Sequence, residues 1–148
     1  MIAPKRGQWR PGMPQDVSAL LLYGFTLLVW VRGIDYLTGD RADVTTSLSV
    51  VEAAMSLQWW GSFFIIGAAL TTAGIAVKQD LLIINGALLN MALYGGLTWG
   101  LFLKMVDRGW PWDGYRTPLQ FLMLAVVWGG VAYGTQVMAK ARQPLEEK

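Results

Sequence analysis

The sequence contains no histidine and no cysteine, and only 15% of its 148 residues are charged. Without histidine the chain has no imidazole to serve as a general base, a proton relay or an axial haem ligand. Without cysteine it has no thiolate nucleophile, no disulfide, and no thiolate ligands for an iron–sulfur cluster or a structural zinc ion. These absences remove most catalytic and metal-dependent chemistries and leave Asp, Glu, Lys, Tyr and Ser as the reactive side chains.

The few charges are also unevenly distributed, because four runs of 15, 25, 23 and 23 residues contain none at all. A helix needs about 20 apolar residues to cross a bilayer, so three runs are long enough and the first is nearly so. We therefore predict an all-α membrane protein with four transmembrane helices in an antiparallel bundle. The predicted spans are approximately 17–37, 57–77, 81–103 and 117–140.

Polar segments flank these spans. Residues 1–15 are predicted to form a flexible basic tail, and residues 141–148 a polar tail. The basic tail and the apolar run after it also have the pattern of a signal peptide, but Arg32-Gly33 stands where a small-residue cleavage site would be needed. The apolar character then resumes at Ile34, so we expect the first span to be retained as an uncleaved anchor.

The connections between the spans predict their topology. Ser49 followed by Glu52 has the spacing of a capping box, which predicts a short interfacial helix before the second span. The second and third spans are separated only by Lys78-Gln79-Asp80 and should form a tight hairpin. The side with both termini carries seven Lys and Arg residues against five on the other, so the positive-inside rule predicts cytoplasmic termini in the bacterial cytoplasmic membrane.

The most regular pattern inside the spans is the spacing of glycines. Gly96 with Gly100, and Gly130 with Gly134, each form a GxxxG motif, which allows two helix backbones to approach closely. Asn90, near the middle of the third span, is the candidate polar contact between helices. These residues predict either self-association or packing within one four-helix monomer, and on the first interpretation Gly96→Leu or Gly130→Leu should weaken the oligomer.

Aromatic and basic residues at the span ends are predicted to anchor the protein at the membrane interface. Arg32 could instead pair with Asp35, three residues on, and dock onto another helix. Arg116 could pair with Asp35 or Glu52 across the outer surface of the protein. A substrate site built from these groups is the alternative to simple anchoring. The predicted anchors are Trp59, Trp60, Trp110, Trp112, Arg32 and Arg116.

Four short motifs carry a resemblance to a known group. The first span ends in Arg32-Gly33, a serine-rich turn follows, Trp60-Gly61 opens the second span and Gly114-Tyr115-Arg116-Thr117-Pro118 enters the last. From about Leu20 to Ala139 the chain resembles small four-span, holin-like membrane proteins of actinobacterial phages, which are often found beside lysis genes. The resemblance implies a protein that oligomerises and permeabilises the cytoplasmic membrane during lysis. Holins often have a strongly basic C-terminus, whereas 140–148 carries three basic and two acidic residues.

We therefore expect a non-enzymatic protein with no catalytic, cofactor-binding or metal-binding residues. Its expected partners are the lipid bilayer, further copies of itself and other membrane proteins, and it has no basic surface suited to nucleic acid. The alternative is an accessory or scaffold subunit of a membrane complex, including one that excludes other phages. A small quinone- or lipid-linked membrane enzyme is a further alternative.

Overall fold

The computed structural model describes residues 15–39, 49–109 and 114–146. All regular secondary structure in these segments is α-helical, and four helices are long and apolar enough to cross a membrane. This confirms the predicted all-α membrane protein, with a short helix before the second span. The helices are α1 (Gln15–Thr38), α2 (Ser49–Ala54), α3 (Leu57–Ala76), α4 (Asp80–Asp107) and α5 (Arg116–Glu146).

Two helices run further than the apolar runs that predicted them. α4 continues to Asp107, and α5 continues to Glu146 through most of the segment expected to be a polar tail. Lys, Met, Ala, Arg and Glu are good helix formers, so the end of an apolar run does not end a helix. The N-terminal tail lies outside the described residues, apart from Gln15, at which α1 begins.

The long helices pack in the order α1, α3, α4, α5, and α2 lies against α4. Successive long helices run in opposite directions: along each interface, residue numbers that increase on one helix contact residue numbers that decrease on the next. We call the end where α1 finishes and α5 begins the loop end. α1 and α5 approach each other much less closely than the other neighbours do, and grooves separate them. We call this boundary the α1–α5 seam.

Two glycines bring α1 and α3 together. A Cβ at Gly61 would lie 2.9 Å from the carbonyl oxygen of Gly33, and one at Gly33 would lie 2.8 Å from Cδ1 of Ile65. At Gly61 backbone atoms of α1 block a larger residue, whereas at Gly33 the side chain of Ile65 would have to move. Lipid offers no hydrophobic drive for helix association, so such close backbone packing is a main source of attraction in a membrane. The Arg32-Gly33 and Trp60-Gly61 steps therefore contribute to the α1–α3 interface.

The α3–α4 hairpin turns through a Schellman motif at the end of α3. The N–H of Gln79 donates to the carbonyl oxygen of Gly74 at 2.9 Å, and the N–H of Lys78 donates to that of Ile75 at 3.4 Å. Lys78 takes the left-handed position, with φ of 55°, which glycine usually fills. The turn is as short as the sequence predicts, and it holds α3 and α4 directly against each other.

The interior of the bundle is formed by one side of each long helix. Phe64, Leu97 and Trp128 are fully buried there, together with smaller residues such as Ala68 and Ala87. The short helix α2 contributes as well, because Val51 is buried against Gly100 of α4. α2 is therefore packed onto the bundle at the loop end.

Candidate functional site: an arginine on an aromatic ladder

Four aromatic rings, one from each long helix, form a continuous ladder across the interior. Tyr36 of α1 meets Phe64 of α3 at 5.9 Å between centroids, in an edge-on geometry. Phe64 meets Tyr94 of α4 at 5.0 Å, and Tyr94 stacks on Phe121 of α5 at 6.0 Å. Aromatic pairs at these separations add to the stability that their burial already provides. The ladder connects all four helices at a single level.

Arg32 of α1 lies over this ladder. Its guanidinium carbon is 4.6 Å from the centroid of Phe121, 5.8 Å from that of Tyr36 and 5.9 Å from that of Tyr94. Nη1 donates a hydrogen bond of 3.3 Å to the hydroxyl of Tyr36. The faces of aromatic rings attract cations, so the ladder is a suitable surface for this half-buried side chain.

The structure gives Arg32 a different partner from the one that sequence spacing suggests. In the described part of the chain Arg32 and Asp35 form no ion pair, and Asp35 is exposed. The guanidinium turns inward, to rings on α4 and α5. Arg32 therefore joins α1 to other helices through aromatic faces, and none of its polar partners carries a negative charge.

Asn90 lies at the interface of α3 and α4, completely buried. Its side chain fills the space beside Gly67, where an added Cβ would clash with Oδ1. The neighbouring Thr71 donates its hydroxyl proton to the carbonyl oxygen of Gly67, one turn back, at 2.9 Å. Neither Oδ1 nor Nδ2 of Asn90 has a hydrogen-bond partner among the described residues. Among the described residues Asn90 therefore contacts α3 by steric packing, without a side-chain hydrogen bond.

The predicted glycine motifs take up two different environments. A Cβ at Gly96 would lie 2.8 Å from the Trp60 ring, and one at Gly100 would lie 2.6 Å from Cγ2 of Val51. The pair in α4 therefore accommodates neighbours within the same chain. Gly130 and Gly134 of α5 have no described heavy atom within 4 Å of an added Cβ, and both line the α1–α5 seam.

The predicted anchors are also divided between environments. Trp59 is 61% exposed at the start of α3, while Trp60 turns inward against Gly96 because adjacent helical positions point about 100° apart. Arg116 is exposed at the start of α5 and pairs with neither Asp35 nor Glu52. Trp110 and Trp112 lie outside the described residues.

The α1–α5 seam contains two grooves, one above the other. The groove nearer the loop end has a volume of about 480 Å³ and is lined mainly by large apolar side chains of α5, with Phe25 of α1. The groove nearer the termini has a volume of about 750 Å³ and includes Ser18, Gly130, Gly134 and Thr135. The seam therefore changes from bulky and apolar to small and partly polar along its length.

Sequence reasoning did not identify the ladder. Tyr36, Phe64, Tyr94 and Phe121 are apolar residues in apolar segments, and only a knowledge of which helices are neighbours brings them together. One signal was available for Arg32, because Tyr36 follows it by one helical turn on the same face. Across the described segments no three acidic side chains come together as metal ligands.

Comparison of the chain with protein-family models, with curated proteins and with solved structures finds no match.

Proposed function

We propose that this is a holin-like protein of the bacterial cytoplasmic membrane, with both termini cytoplasmic, that self-associates through the α1–α5 seam and permeabilises the membrane. The observation that carries the proposal is the open glycine face of α5. Gly130 and Gly134 lie on one side of the helix with nothing described within 4 Å of where a side chain would begin. The seam beside them leaves space for another helix.

An unfilled glycine pair in a membrane helix requires a reason. Glycine costs a helix up to about 1 kcal/mol relative to alanine, so its presence is best explained where a neighbouring backbone approaches. In α4 the neighbours that explain Gly96 and Gly100 are Trp60 and Val51 of the same chain. Because Gly130 and Gly134 have no such neighbour, a helix from a second copy is the partner that would account for them.

The arrangement of α1 supports a role in permeabilisation. α1 packs closely on α3 and approaches α5 much less closely, so an assembly could separate α1 from α5 without breaking the other interfaces. Ser18 and Thr135 line the groove between them and would provide polar groups for an aqueous path. The orientation rests on the seven-to-five distribution of Lys and Arg.

The test is induced expression in bacteria, with growth and membrane potential followed by a potential-sensitive dye. We expect an abrupt loss of potential with the native protein, and a delayed or absent loss with Gly130→Leu or Gly134→Leu. Chemical crosslinking in isolated membranes should show fewer oligomers for both variants. Gly24→Leu is the matched control, because Gly24 is also open in the described chain but lies on α1.

Two results would contradict the proposal. Indefinite growth with an intact potential, while the protein accumulates in the membrane, would exclude permeabilisation and favour a scaffold subunit with a co-purifying partner. Unchanged crosslinking in both α5 variants would exclude the seam as the surface of self-association.

A further inference from the structure

We propose that the half of the α1–α5 seam nearer the loop end is a binding site for one phospholipid, with the lipid phosphate on Arg32 and an acyl chain in the adjoining groove. This inference concerns a different part of the seam from the glycine face. It would stand if the protein did not self-associate.

The first observation is a positive charge without a negative partner. The guanidinium of Arg32 has five N–H donors, and its described hydrogen-bond partner is the neutral hydroxyl of Tyr36. The rings of the ladder attract the cation but carry no formal charge. Two phosphate oxygens could each accept a hydrogen bond from the guanidinium, which is the bidentate geometry that arginine favours.

The second observation is the depth of the charge. Arg32 lies six residues before the end of α1 at Thr38, which corresponds to roughly 9 Å along the helix. A guanidinium at this depth is costly unless it reaches oxygen atoms of the headgroup layer. Phospholipid phosphates are the most abundant anions at that level of a bilayer, so they are the natural counter-charge.

The third observation is a groove in the seam, lined on α1 by a residue that shares the arginine's side of the helix. Phe25 precedes Arg32 by two helical turns and therefore shares its side of α1. On α5 the lining runs from Leu119 to Val127, the stretch of helix that also carries Phe121, the ring nearest the guanidinium. Its volume is about 480 Å³, and it is lined by Phe25, Leu119, Gln120, Met123, Leu124 and Val127.

The residues of this groove favour a lipid chain over a second protein helix. Small residues favour the close approach of two helix backbones in a membrane, and in the seam they lie in the other groove at Gly130 and Gly134. Leu119, Met123 and Leu124 are large and flexible, which prevents the close approach of a backbone but suits an acyl chain. A charged head beside an apolar channel also matches the two-part chemistry of a phospholipid.

The test is native mass spectrometry of the full chain in detergent, with three additives offered separately. These are phosphatidylglycerol, diacylglycerol with the same chains, and inorganic phosphate at millimolar concentration. We expect phosphatidylglycerol to remain bound at one copy per chain and diacylglycerol to be lost, because it lacks the phosphate. Inorganic phosphate should neither bind stably nor displace the lipid.

Two sets of variants test the contact with the lipid phosphate and the contact with the acyl chain separately. Arg32→Gln should reduce retention about tenfold, roughly the value of one charge-assisted hydrogen bond, and Arg32→Lys should reduce it less. Val127→Trp should fill the groove and also reduce retention. The matched controls are Arg116→Gln, an exposed arginine at the same end, and Val126→Trp, the neighbouring residue, which is 60% exposed and outside the groove. Both controls should bind lipid like the native chain.

Three outcomes would overturn the proposal: equal retention by Arg32→Gln, equal retention of diacylglycerol, or displacement of the lipid by inorganic phosphate. The last would indicate a site for a free anion. If circular dichroism shows that Arg32→Gln is not folded, lipid retention by Arg32→Lys and Val127→Trp tests the proposal instead. Native-like retention by a folded Val127→Trp would then exclude the groove.

Discussion

The guanidinium carbon of Arg32 lies closer to the ring centre of Phe121, at 4.6 Å, than to the ring centre of either tyrosine beside it. This contact joins the first long helix to the last at a boundary where grooves otherwise separate them. The bundle is therefore closed at the loop end by an arginine and a phenylalanine. Several measurable properties depend on this contact and on the helix interfaces around it.

A double-mutant cycle should detect the coupling of Arg32 and Phe121. Phe121→Leu preserves most of the apolar volume but removes the ring, so the two single changes and the double change isolate the cation–π contribution. We expect a coupling of about 1 kcal/mol between Arg32→Gln and Phe121→Leu in equilibrium unfolding in mixed micelles.

The control cycle combines Arg116→Gln with Phe121→Leu. Arg116 is exposed and makes no contact with the ladder in the described structure. This cycle should give a coupling close to zero. If both cycles gave the same value, the proximity of Arg32 to Phe121 would have no energetic consequence.

Gly86→Ala should destabilise the α3–α4 hairpin. The new Cβ would lie 2.8 Å from the backbone N of Thr71 and 2.9 Å from the carbonyl oxygen of Gly67, and neither backbone atom can move alone. Overpacking of this kind costs about 1–3 kcal/mol, so the thermal midpoint followed by circular dichroism in detergent should fall clearly.

The matched control is Gly95→Ala, on the same helix, where no described atom lies within 4 Å of the new carbon. Its midpoint should stay the same or rise, because alanine is the better helix former. An equal fall in both variants would mean that the α3–α4 contact is not as close as described.

Asn90→Leu should be tolerated, whereas Asn90→Ala should not. Both polar atoms of the Asn90 side chain are buried without a described partner, so replacing them with carbon removes a desolvation cost, which should offset the strain of the similarly branched but larger leucine. Alanine instead leaves a cavity beside Gly67, which should cost on the order of 1–2 kcal/mol. Chemical unfolding of the two variants against the native chain decides this prediction.

Equal destabilisation by the two substitutions would contradict this prediction. If Asn90→Leu were as unstable as Asn90→Ala, the amide would have a hydrogen-bond partner beyond the described residues, such as a buried water molecule.

Lys78→Gly should stabilise the hairpin turn. A side chain in the left-handed conformation costs about 1–2 kcal/mol, and glycine removes this cost. Part of the gain is lost again, because glycine also raises the conformational entropy of the unfolded chain. The expected net gain is about 0.5–1 kcal/mol in the free energy of unfolding. Lys78→Ala removes the same charge but keeps the Cβ, so it should show no gain; a gain in both variants would assign the effect to charge.

Sequence patterns were sufficient for the membrane architecture because each span is recognisable by itself. The hairpin turn at Lys78 and the short helix at Ser49 also follow from local signals, namely a three-residue polar break and a capping box. Helix ends were predicted less accurately. α4 and α5 continue beyond their apolar runs, because hydrogen bonding along the backbone does not depend on whether the side chains face lipid or water.

The ladder and the seam could not be predicted, because they depend on which helices are neighbours. The spacing between Arg32 and Asp35 is correct for an ion pair, yet rings from three helices take the place of the carboxylate. Likewise, two GxxxG motifs look identical in the sequence. Only the positions of Trp60 and Val51 distinguish the filled motif in α4 from the open one in α5.

The packing order has a consequence for biogenesis. A chain is synthesised from its N-terminus, so α1 emerges and can enter the membrane before α4 and α5 exist. During that interval Arg32 has Tyr36 beside it but neither Tyr94 nor Phe121. The guanidinium on the nascent helix therefore lacks two of the three aromatic rings that surround it in the finished protein. α3 supplies the first neighbour for α1, and α5, the last helix made, completes the surroundings of the arginine. Arg32 is half-buried in the finished protein, so ribosome-bound chains ending before residue 116 should expose it more fully to aqueous reagents.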